Sequence, residues 1–307
     1  MHKHVIRIFC RPVAALISIL ALLAGPDCYC ATENITSGTP EKEDSLAFAS
    51  ADWHWQELGR GAQAGYAQFE IFGSTQSIAV VRYKGRKYHT GFVSATGDEA
   101  GPTDTLAVRA GARFALNGSY FNMKTLEPAT FFAIDGEQLG STYEDELFRT
   151  NGLLAVRRKN GRKLDVLPFD PARESEYNRK FYSSLASGPV LMKDGKAEEF
   201  DTSDRFVTDR HPRSLVGITP EGTVYLVVVD GRFKGEAAGA SIPELARIAG
   251  WLGLKDAINF DGGGSSAVWT DDTGIINHPC DNRKFDHNGA RRVPNIIVVT
   301  DRRQSLR

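Results

Sequence analysis

Two aspartates each follow an apolar run and precede glycine, a pattern that could support acid–base chemistry. The run 227–229 (VVV) leads into Asp230, and the run 257–260 (AINF) leads into Asp261 and the segment 262–266 (GGGSS). If these runs form neighbouring strands, both carboxylates lie at the carboxyl edge of a sheet, where open α/β sheets bind ligands. Neighbouring carboxylates repel each other, which raises the pKa of one and lets the pair act as an acid and a base.

A purely structural role explains Asp230 better than it explains Asp261. Asp-Gly is a common hairpin turn, so Asp230 alone is also compatible with a turn. Three consecutive glycines exceed what a turn needs, because each adds a cost in backbone entropy. Amides in such a run can form a concavity that binds an anion. No Lys-Ser or Lys-Thr follows, so the segment is not a nucleotide P-loop. The pattern favours ligand binding by Gly262, Gly263, Gly264 and Ser265.

Other polar residues are candidates for the same site. Asn117 and Gly118 follow a strand-like segment, and their residue types alone favour a type I′ turn. Arg213 precedes the first apolar run, and Arg291 and Arg292 stand together near the end of the chain. A guanidinium group suits phosphate oxygens, although most arginines are solvated surface residues.

Motifs for metal binding or nucleophilic catalysis are weak. The seven histidines are scattered, and neither a His-Glu-x-x-His motif nor a Gly-x-Ser-x-Gly elbow occurs. Asp and Asn oxygens are compatible with a divalent cation such as calcium or magnesium, but nothing requires one. We therefore predict no required cofactor and no protein metal site. Cys280 is expected to serve in packing.

The elements that must position these residues are mostly strands. Apolar alternation and turn residues predict three hairpins, within residues 67–83, within 153–167 and from 189 onward. The runs 223–229 and 257–260 do not alternate, which predicts central strands covered on both faces.

One helix has clear boundaries. The segment 241–244 (SIPE) is a capping box, four apolar residues between 245 and 252 share one face, and Gly253 is placed to end the helix. A weaker helix is expected at 104–110. Strand, helix, strand in this order is a crossover unit, which predicts a partly parallel sheet. The predicted fold class is α/β (α+β), a mixed β-sheet with crossover helices and peripheral hairpins.

The amino terminus has the layout of a secretory leader. Three basic residues precede the uncharged run 13–24, which Gly25-Pro26 interrupts. The run is shorter than the about 20 residues of a membrane-spanning helix, which disfavours an uncleaved anchor. We predict a signal peptide at 1–31, a polar disordered linker at 32–51 and one domain at 52–302. No stable membrane insertion is expected once the leader is cleaved.

Charge and cysteine content bear on partners and location. The formal net charge is -1, which gives no indication of a nucleic-acid partner or a polybasic membrane contact. Of four cysteines, cleavage near residue 31 leaves Cys280, so no internal disulfide can form. This favours a bacterial periplasmic or extracellular location over an animal secretory pathway.

Several segments, in the same order along the chain, together resemble the phosphodiester glycosidase family, which includes bacterial proteins associated with exopolysaccharide. The resemblance spans roughly residues 105–301. Its most specific parts are residues 228–232 (VVDGR) and 258–266 (INFDGGGSS). The supporting segments are residues 115–121 (ALNGSYF), 187–191 (SGPVL), 212–217 (PRSLVG) and 292–295 (RVPN). Ser119 departs from the pattern, because the family usually has a second glycine there.

The resemblance implies removal of a sugar that is joined through its anomeric carbon to phosphate, in a bacterial envelope or extracellular glycan. The catalytic residues are then expected to be Asp261 and Asp230. The substrate-binding residues are expected to be Asn117, Gly118, Ser119, Arg213, Gly262, Gly263, Gly264, Ser265, Arg292 and Asn295. Two alternatives remain open at this point: a divalent-metal phosphodiesterase that uses both aspartates as ligands, and a non-catalytic polysaccharide-binding or export accessory protein.

Overall fold

Three antiparallel sheets enclose a shared apolar core. The computed structural model describes residues 40–158 and 163–302. The strands of this part are β1 (His54–Glu57), β2 (Ala62–Ile71), β3 (Ser74–Lys84), β4 (Tyr88–Ser94), β5 (Phe114–Asn117), β6 (Phe132–Ile134), β7 (Glu137–Gly140), β8 (Gly152–Arg157), β9 (Leu164–Pro168), β10 (Phe181–Ser187), β11 (Val190–Lys193), β12 (Lys196–Ala197), β13 (Arg213–Ile218), β14 (Thr223–Val229), β15 (Asp256–Phe260), β16 (Val268–Thr270), β17 (Gly274–Ile275) and β18 (Asn295–Asp301). The helices are α1 (Pro40–Ser50), α2 (Thr103–Arg109), α3 (Glu174–Lys180), α4 (Arg205–Thr208) and α5 (Ile242–Trp251).

The sheets have eight, five and five strands. Their orders are β1-β2-β3-β14-β13-β15-β11-β12, then β7-β6-β10-β8-β9, then β17-β16-β5-β18-β4. Buried side chains such as Val228, Phe260, Leu116 and Leu154 point from all three sheets into one cluster. The outer faces are covered by helices: α5 and the end of α1 on the large sheet, α2 on the β5–β18 sheet, and α3 on the β8–β10 sheet.

The two strands that precede the aspartates are not neighbours, so the condition for adjacent carboxylates is not met. β13 lies between β14 and β15, and Ser214 is opposite both Val228 and Phe260. Because β13 is antiparallel to each neighbour, β14 and β15 run in the same direction without touching edge to edge. Every strand pair in the described part of the chain is antiparallel, so the partly parallel sheet is wrong. The α+β class is confirmed.

Local structure follows the sequence patterns closely. The three hairpins are formed by β2 and β3, by β8 and β9, and by β11 and β12. The turn between β8 and β9 lies outside the described residues. The capping box of α5 is present, with Glu244 N–H donating to Ser241 Oγ at 3.3 Å and Ser241 N–H donating to Glu244 Oε2 at 2.9 Å.

The predicted linker needs a correction. Residues 40–50, which the polar composition assigned to a disordered segment, form α1. Phe48 is buried and its ring lies 5.3 Å from that of Trp251 on α5, so one apolar side chain docks a helix that composition alone does not predict. The predicted signal peptide and residues 32–39 lie outside the described residues. No helix in the described part is long and apolar enough to span a membrane.

The capping box provides a test of the fold. We expect Ser241→Ala to lower the free energy of unfolding by about 1 kcal/mol, because Glu244 N–H at the start of α5 loses its acceptor. Urea unfolding followed by circular dichroism measures this. Ser45→Ala, in the interior of α1, is the matched control and should leave stability unchanged or slightly raise it. Equal stability of the wild type and Ser241→Ala would show that the cap does not stabilise α5.

Candidate active site

Asp261 is held at the carboxyl end of β15 by bonds to its main chain. Its N–H donates to Gly118 O at 3.2 Å, and its carbonyl accepts from Asn117 Nδ2 at 2.7 Å. The carboxylate accepts from Gly262 N–H at 3.0 Å, and the residue as a whole is partly buried. These bonds fix the backbone that carries the Asp261 carboxyl group.

Two guanidinium groups act on this carboxylate electrostatically. The Arg149 guanidinium lies 3.9 Å from the centre of the Tyr120 ring and forms two hydrogen bonds with Glu146, at 2.6 and 2.8 Å. Arg291 pairs with Asp281 at 2.5 Å. Both arginines act to lower the pKa of Asp261, and Arg291 Nη2 lies 2.5 Å from the position of a Cβ on Gly264 in the following segment.

Burial nevertheless dominates the titration of Asp261. Burial raises the pKa of its carboxyl group above the ordinary value, and the Ser265 side chain, Arg149, the Gly262 N–H and Arg291 only partly offset this rise. Burial acts to lower the pKa of Arg149, but the Glu146 bond and the neighbouring Tyr120 and Asp261 leave it raised. The site thus combines a carboxylate of raised proton affinity with cations that stay charged.

The glycine segment leaves space for neighbouring groups that a side chain would displace. A Cβ on Gly262 would lie 2.4 Å from Pro212 O, and one on Gly264 would lie 2.5 Å from Arg291 Nη2. Gly263 has φ +62°, and a Cβ there would lie 3.1 Å from Arg232 Nη2. The glycines therefore let two arginines approach the backbone beside Asp261.

Three of the four amides expected to form the anion concavity donate to groups within the protein. Gly262 N–H donates to Asp261, Gly263 N–H donates to Pro212 O at 2.9 Å, and Ser265 N–H donates to Gly262 O at 3.2 Å. These three amides are already satisfied within the protein. Positive charge at this loop comes from arginine side chains instead.

Asp230 is not beside Asp261 but in a buried cluster. Its Oδ2 accepts from Ser77 Oγ at 2.7 Å and lies 3.3 Å from His278 Nδ1. Its Oδ1 accepts from Asn277 Nδ2 and from His278 N–H, both at 2.9 Å. The residue is 1% exposed, so its carboxylate is not open to a substrate. His278 lines a cavity of about 380 Å³ whose lining residues do not include Asp261.

The two residues after Asp230 place an arginine side chain beside the glycine segment. A Cβ on Gly231 would lie 2.8 Å from Pro212 N, so the close packing there requires glycine. Arg232 follows in a left-handed conformation, with φ +69°, and its guanidinium lies beside Gly263. The motif therefore anchors the strand end at Asp230 and places Arg232 next to the loop.

Arg213 is buried and engaged by the protein. It donates from Nε to Ala240 O at 3.0 Å and from Nη2 to the carbonyls of Phe206 and Asp209, at 2.7 and 3.1 Å. Burial lowers the pKa of its guanidinium to about 10, with Arg232 and Arg149 adding repulsion. The structure assigns it a structural role, holding the start of β13 under the glycine segment.

The segment from Asn117 to Ser119 is held beside the glycine segment by buried hydrogen bonds. Asn117 Oδ1 accepts from Ser214 Oγ at 2.7 Å, and Ser119 Oγ donates to Ala186 O at 2.6 Å. Neither Asn117 nor Gly118 has positive φ, so the type I′ turn is wrong. Gly118 is required because a Cβ there would lie 1.8 Å from Asn295 Oδ1, which accepts from Ser119 N–H.

The carboxyl-terminal arginines point in different directions. Arg292 donates to Ala100 O at 3.1 Å and to the carbonyls of Gly97 and Asp98. Arg291 is the one beside the glycine segment. Arg149 was not singled out by the sequence, because it stands neither at a strand end nor next to a glycine motif. Tyr120 lies in the segment 115–121, but no sequence pattern assigned it a role beside Arg149.

No group of three or more His, Cys, Asp or Glu side chains in the described part of the chain is arranged to hold a metal ion. A site shared by Asp230 and Asp261 would require Asp230 to give up donors that occupy both of its oxygens. Cys280 is buried with Phe233, Ala237 and Phe285, and burial raises the pKa of its thiol, as expected for a packing residue.

The chain is similar to known proteins in sequence over much of its length. A family model described as phosphodiester glycosidase matches residues 110–300. The N-acetylglucosamine-1-phosphodiester alpha-N-acetylglucosaminidase of Mus musculus is 27% identical over an alignment of 216 residues that covers 64% of this chain and 39% of the mouse protein. The chain thus spans less than half the length of that relative.

Three solved structures share the fold at 16% identity. They are a hypothetical protein from Synechocystis (TM-score 0.63, covering 81% of this chain and 64% of that one), the zebrafish N-acetylglucosamine-1-phosphodiester alpha-N-acetylglucosaminidase catalytic domain auto-inhibited by its pro-peptide (0.60, 82% and 88%) and a putative exported protein from Burkholderia pseudomallei (0.57, 75% and 75%).

The raised pKa of Asp261 predicts a pH-dependent cost to stability. The unfolded value is about 3.9, so the cost is absent below that pH and grows as pH rises through the higher folded-state pKa. We expect Asp261→Asn to unfold at higher urea concentration than the wild type near pH 8, with the difference vanishing near pH 4.

The Asp194→Asn variant is a control for which we expect a change in stability of the opposite sign. The Lys255 ion pair lowers the Asp194 pKa, so the wild-type contribution is present above the unfolded value and is lost as pH falls through the folded pKa. The control should therefore be less stable than the wild type near neutral pH. A destabilised Asp261→Asn near pH 8 would contradict the burial argument.

Proposed function

Because the chain belongs to the phosphodiester glycosidase family, we propose that it hydrolyses a sugar-1-phosphodiester at the glycosidic C–O bond. Glycosidase-type hydrolase, the enzyme class predicted from the sequence, is the class of this family. The observation that carries the proposal is the Asp261 carboxyl group at the end of β15, whose pKa Arg149 and Arg291 both act to lower, with the Arg291 guanidinium close beside Gly264. A site for a phosphodiester needs such a pairing of cations with one carboxylate.

The arginines supply binding and charge stabilisation for the phosphodiester. Arg149 and Arg291 are each oriented by a carboxylate, Glu146 and Asp281, so their planes are held before substrate arrives. Arg232 is exposed beside Gly263 and adds a third cation. Groups fixed in advance stabilise the charge that develops on a leaving phosphate more effectively than water, which must reorganise.

Asp261 acts at the anomeric carbon. When the C1–O bond breaks, its electron pair leaves with the phosphate oxygen and C1 gains positive, oxocarbenium-like character. The carboxylate stabilises that charge, and the water that adds to C1 loses its proton to the carboxylate or to solvent. The products are the free sugar and a phosphomonoester. A phosphate leaving group needs little protonation, so one carboxylate suffices and Asp230 is not required as an acid.

Asp230 instead positions the loop. Asn277 Nδ2 donates to both Asp230 Oδ1 and Ser266 O, so Asp230 acts on the glycine segment through Asn277. This arrangement favours the glycosidase over a metal phosphodiesterase with two aspartate ligands. No divalent cation is required in the scheme.

We also propose a sugar and a location. The name of the mouse relative makes α-linked N-acetylglucosamine the first sugar to test. Export to a bacterial periplasm or the extracellular space, with an envelope or extracellular glycan as substrate, rests on the leader pattern at 1–31 and on the cysteine content.

Product analysis tests the proposal. With methyl N-acetyl-α-glucosaminyl phosphate, we expect the wild type to release N-acetylglucosamine and methyl phosphate, with no effect of EDTA. Asp261→Asn should lower kcat by about 10²- to 10⁴-fold, the range typical of a removed acid–base group. Asp194→Asn, a surface change, is the matched control. Chelator-sensitive release of N-acetylglucosamine 1-phosphate would indicate a metal phosphodiesterase, and binding without turnover an accessory protein.

Asp230→Asn separates positioning from catalysis. We expect it to lower the free energy of unfolding by about 1–3 kcal/mol, because a buried hydrogen-bonded carboxylate is replaced. Its kcat should fall less than that of Asp261→Asn, and the pH dependence of kcat/KM should keep the wild-type shape. Urea unfolding and a pH profile measure both effects. Wild-type stability with activity as low as that of Asp261→Asn would mean that Asp230 acts directly on substrate.

A further inference from the structure

Exposed apolar side chains are concentrated on one connection. In the described part of the chain, eight large hydrophobic side chains are exposed. Five of them come from the connection between β5 and β8: Met123, Leu139, Tyr143, Leu147 and Phe148. These residues are near one another in sequence, and the contacts of Met123 and Phe148 show which of them lie at the site.

Two of these side chains contact the arginines of the site. Phe148 is 61% exposed, and its ring centre lies 5.4 Å from the Arg149 guanidinium. Met123 is 57% exposed, and its Sδ lies 3.6 Å from Arg291 Nη1. Arg149 and Arg291 therefore each have an exposed apolar side chain as a neighbour. We call Met123 and Phe148 the apolar rim.

The positive charge of Arg149 and Arg291 determines which class of ligand can bind at the apolar rim. Packing of an uncharged apolar surface here would remove water from Arg149 and Arg291, which is unfavourable unless the occupant also brings an anion. A phosphodiester with an apolar substituent supplies both, because the phosphate meets the guanidinium groups and the substituent covers the rim. This charge complementarity favours an amphiphilic ligand over a second copy of the chain.

We propose that the aglycone, the alcohol on the far side of the phosphate from the sugar, is apolar and is bound by Phe148 and Met123. The inference rests on the proposed function and names the substrate class of that same site. The bond broken is unchanged, and the second product is an alkyl phosphomonoester. Binding of the alkyl group removes apolar surface from water and so lowers KM for longer chains.

Substrates that differ only in chain length test the proposal. The methyl and n-octyl esters of N-acetyl-α-glucosaminyl phosphate are compared below the micelle concentration of the octyl ester. We expect kcat/KM to be at least about tenfold higher for octyl, mainly through KM, since two buried methylenes account for such a factor. Phe148→Ser and Met123→Ser should each move the octyl-to-methyl ratio towards one. Val108→Ser, which removes a 66% exposed side chain on α2, should keep the wild-type ratio.

The outcomes separate this inference from the proposed function. Hydrolysis of both esters with a ratio near one overturns the apolar aglycone and leaves the glycosidase activity intact. A ratio unchanged in Phe148→Ser, together with a lower oligomeric state in sedimentation, would assign the rim to contact between copies and also overturns the inference. Turnover of neither ester contradicts the proposed function and the inference with it.

Discussion

The Asn117 side chain joins the parts of the protein that make the site. Its amide nitrogen donates to Asp261 O at 2.7 Å, while its oxygen accepts from Ser214 Oγ at 2.7 Å and from Ala267 N–H at 3.2 Å. One fully buried amide thus ties β5 of one sheet to β13 and β15 of another and to the segment after the glycines. A buried polar group that lost one of these partners would be costly, which fixes the position of Asp261.

The electrostatics of the site depend on that fixed position. Asp261 is carried into a partly buried setting that raises its proton affinity, and the cations nearest to it are themselves oriented by Glu146 and Asp281. The glycines leave room for further cations near Asp261, since side chains at Gly263 and Gly264 would crowd Arg232 and Arg291. Several residues that the sequence predicted as ligand contacts bond to other parts of the protein, such as Arg213 to Ala240 O and Ser119 to Ala186 O, and Arg149 and Arg291 come from elsewhere in the chain.

This division explains what could be predicted from the sequence. Short-range patterns located the hairpins, the capped helix α5 and both strands that end in aspartate, because turn chemistry and apolar periodicity are local properties. Strand order is not local. The insertion of β13 between β14 and β15 separated the two aspartates, and nothing in either strand encodes its neighbour. The partners of Asp230 lie 47 and 48 residues further along, at Asn277 and His278. The local sequence around Asp230 therefore could not predict its burial either.

The central claim is that attack occurs at the anomeric carbon beside Asp261 and not at phosphorus. Hydrolysis of methyl N-acetyl-α-glucosaminyl phosphate in water enriched in oxygen-18, followed by mass spectrometry of the methyl phosphate, tests this directly, because phosphate oxygens do not exchange with water during the assay. The account predicts methyl phosphate without label, since the leaving group keeps its original oxygen. Methyl phosphate that carries one labelled oxygen would place the attack at phosphorus and contradict the account.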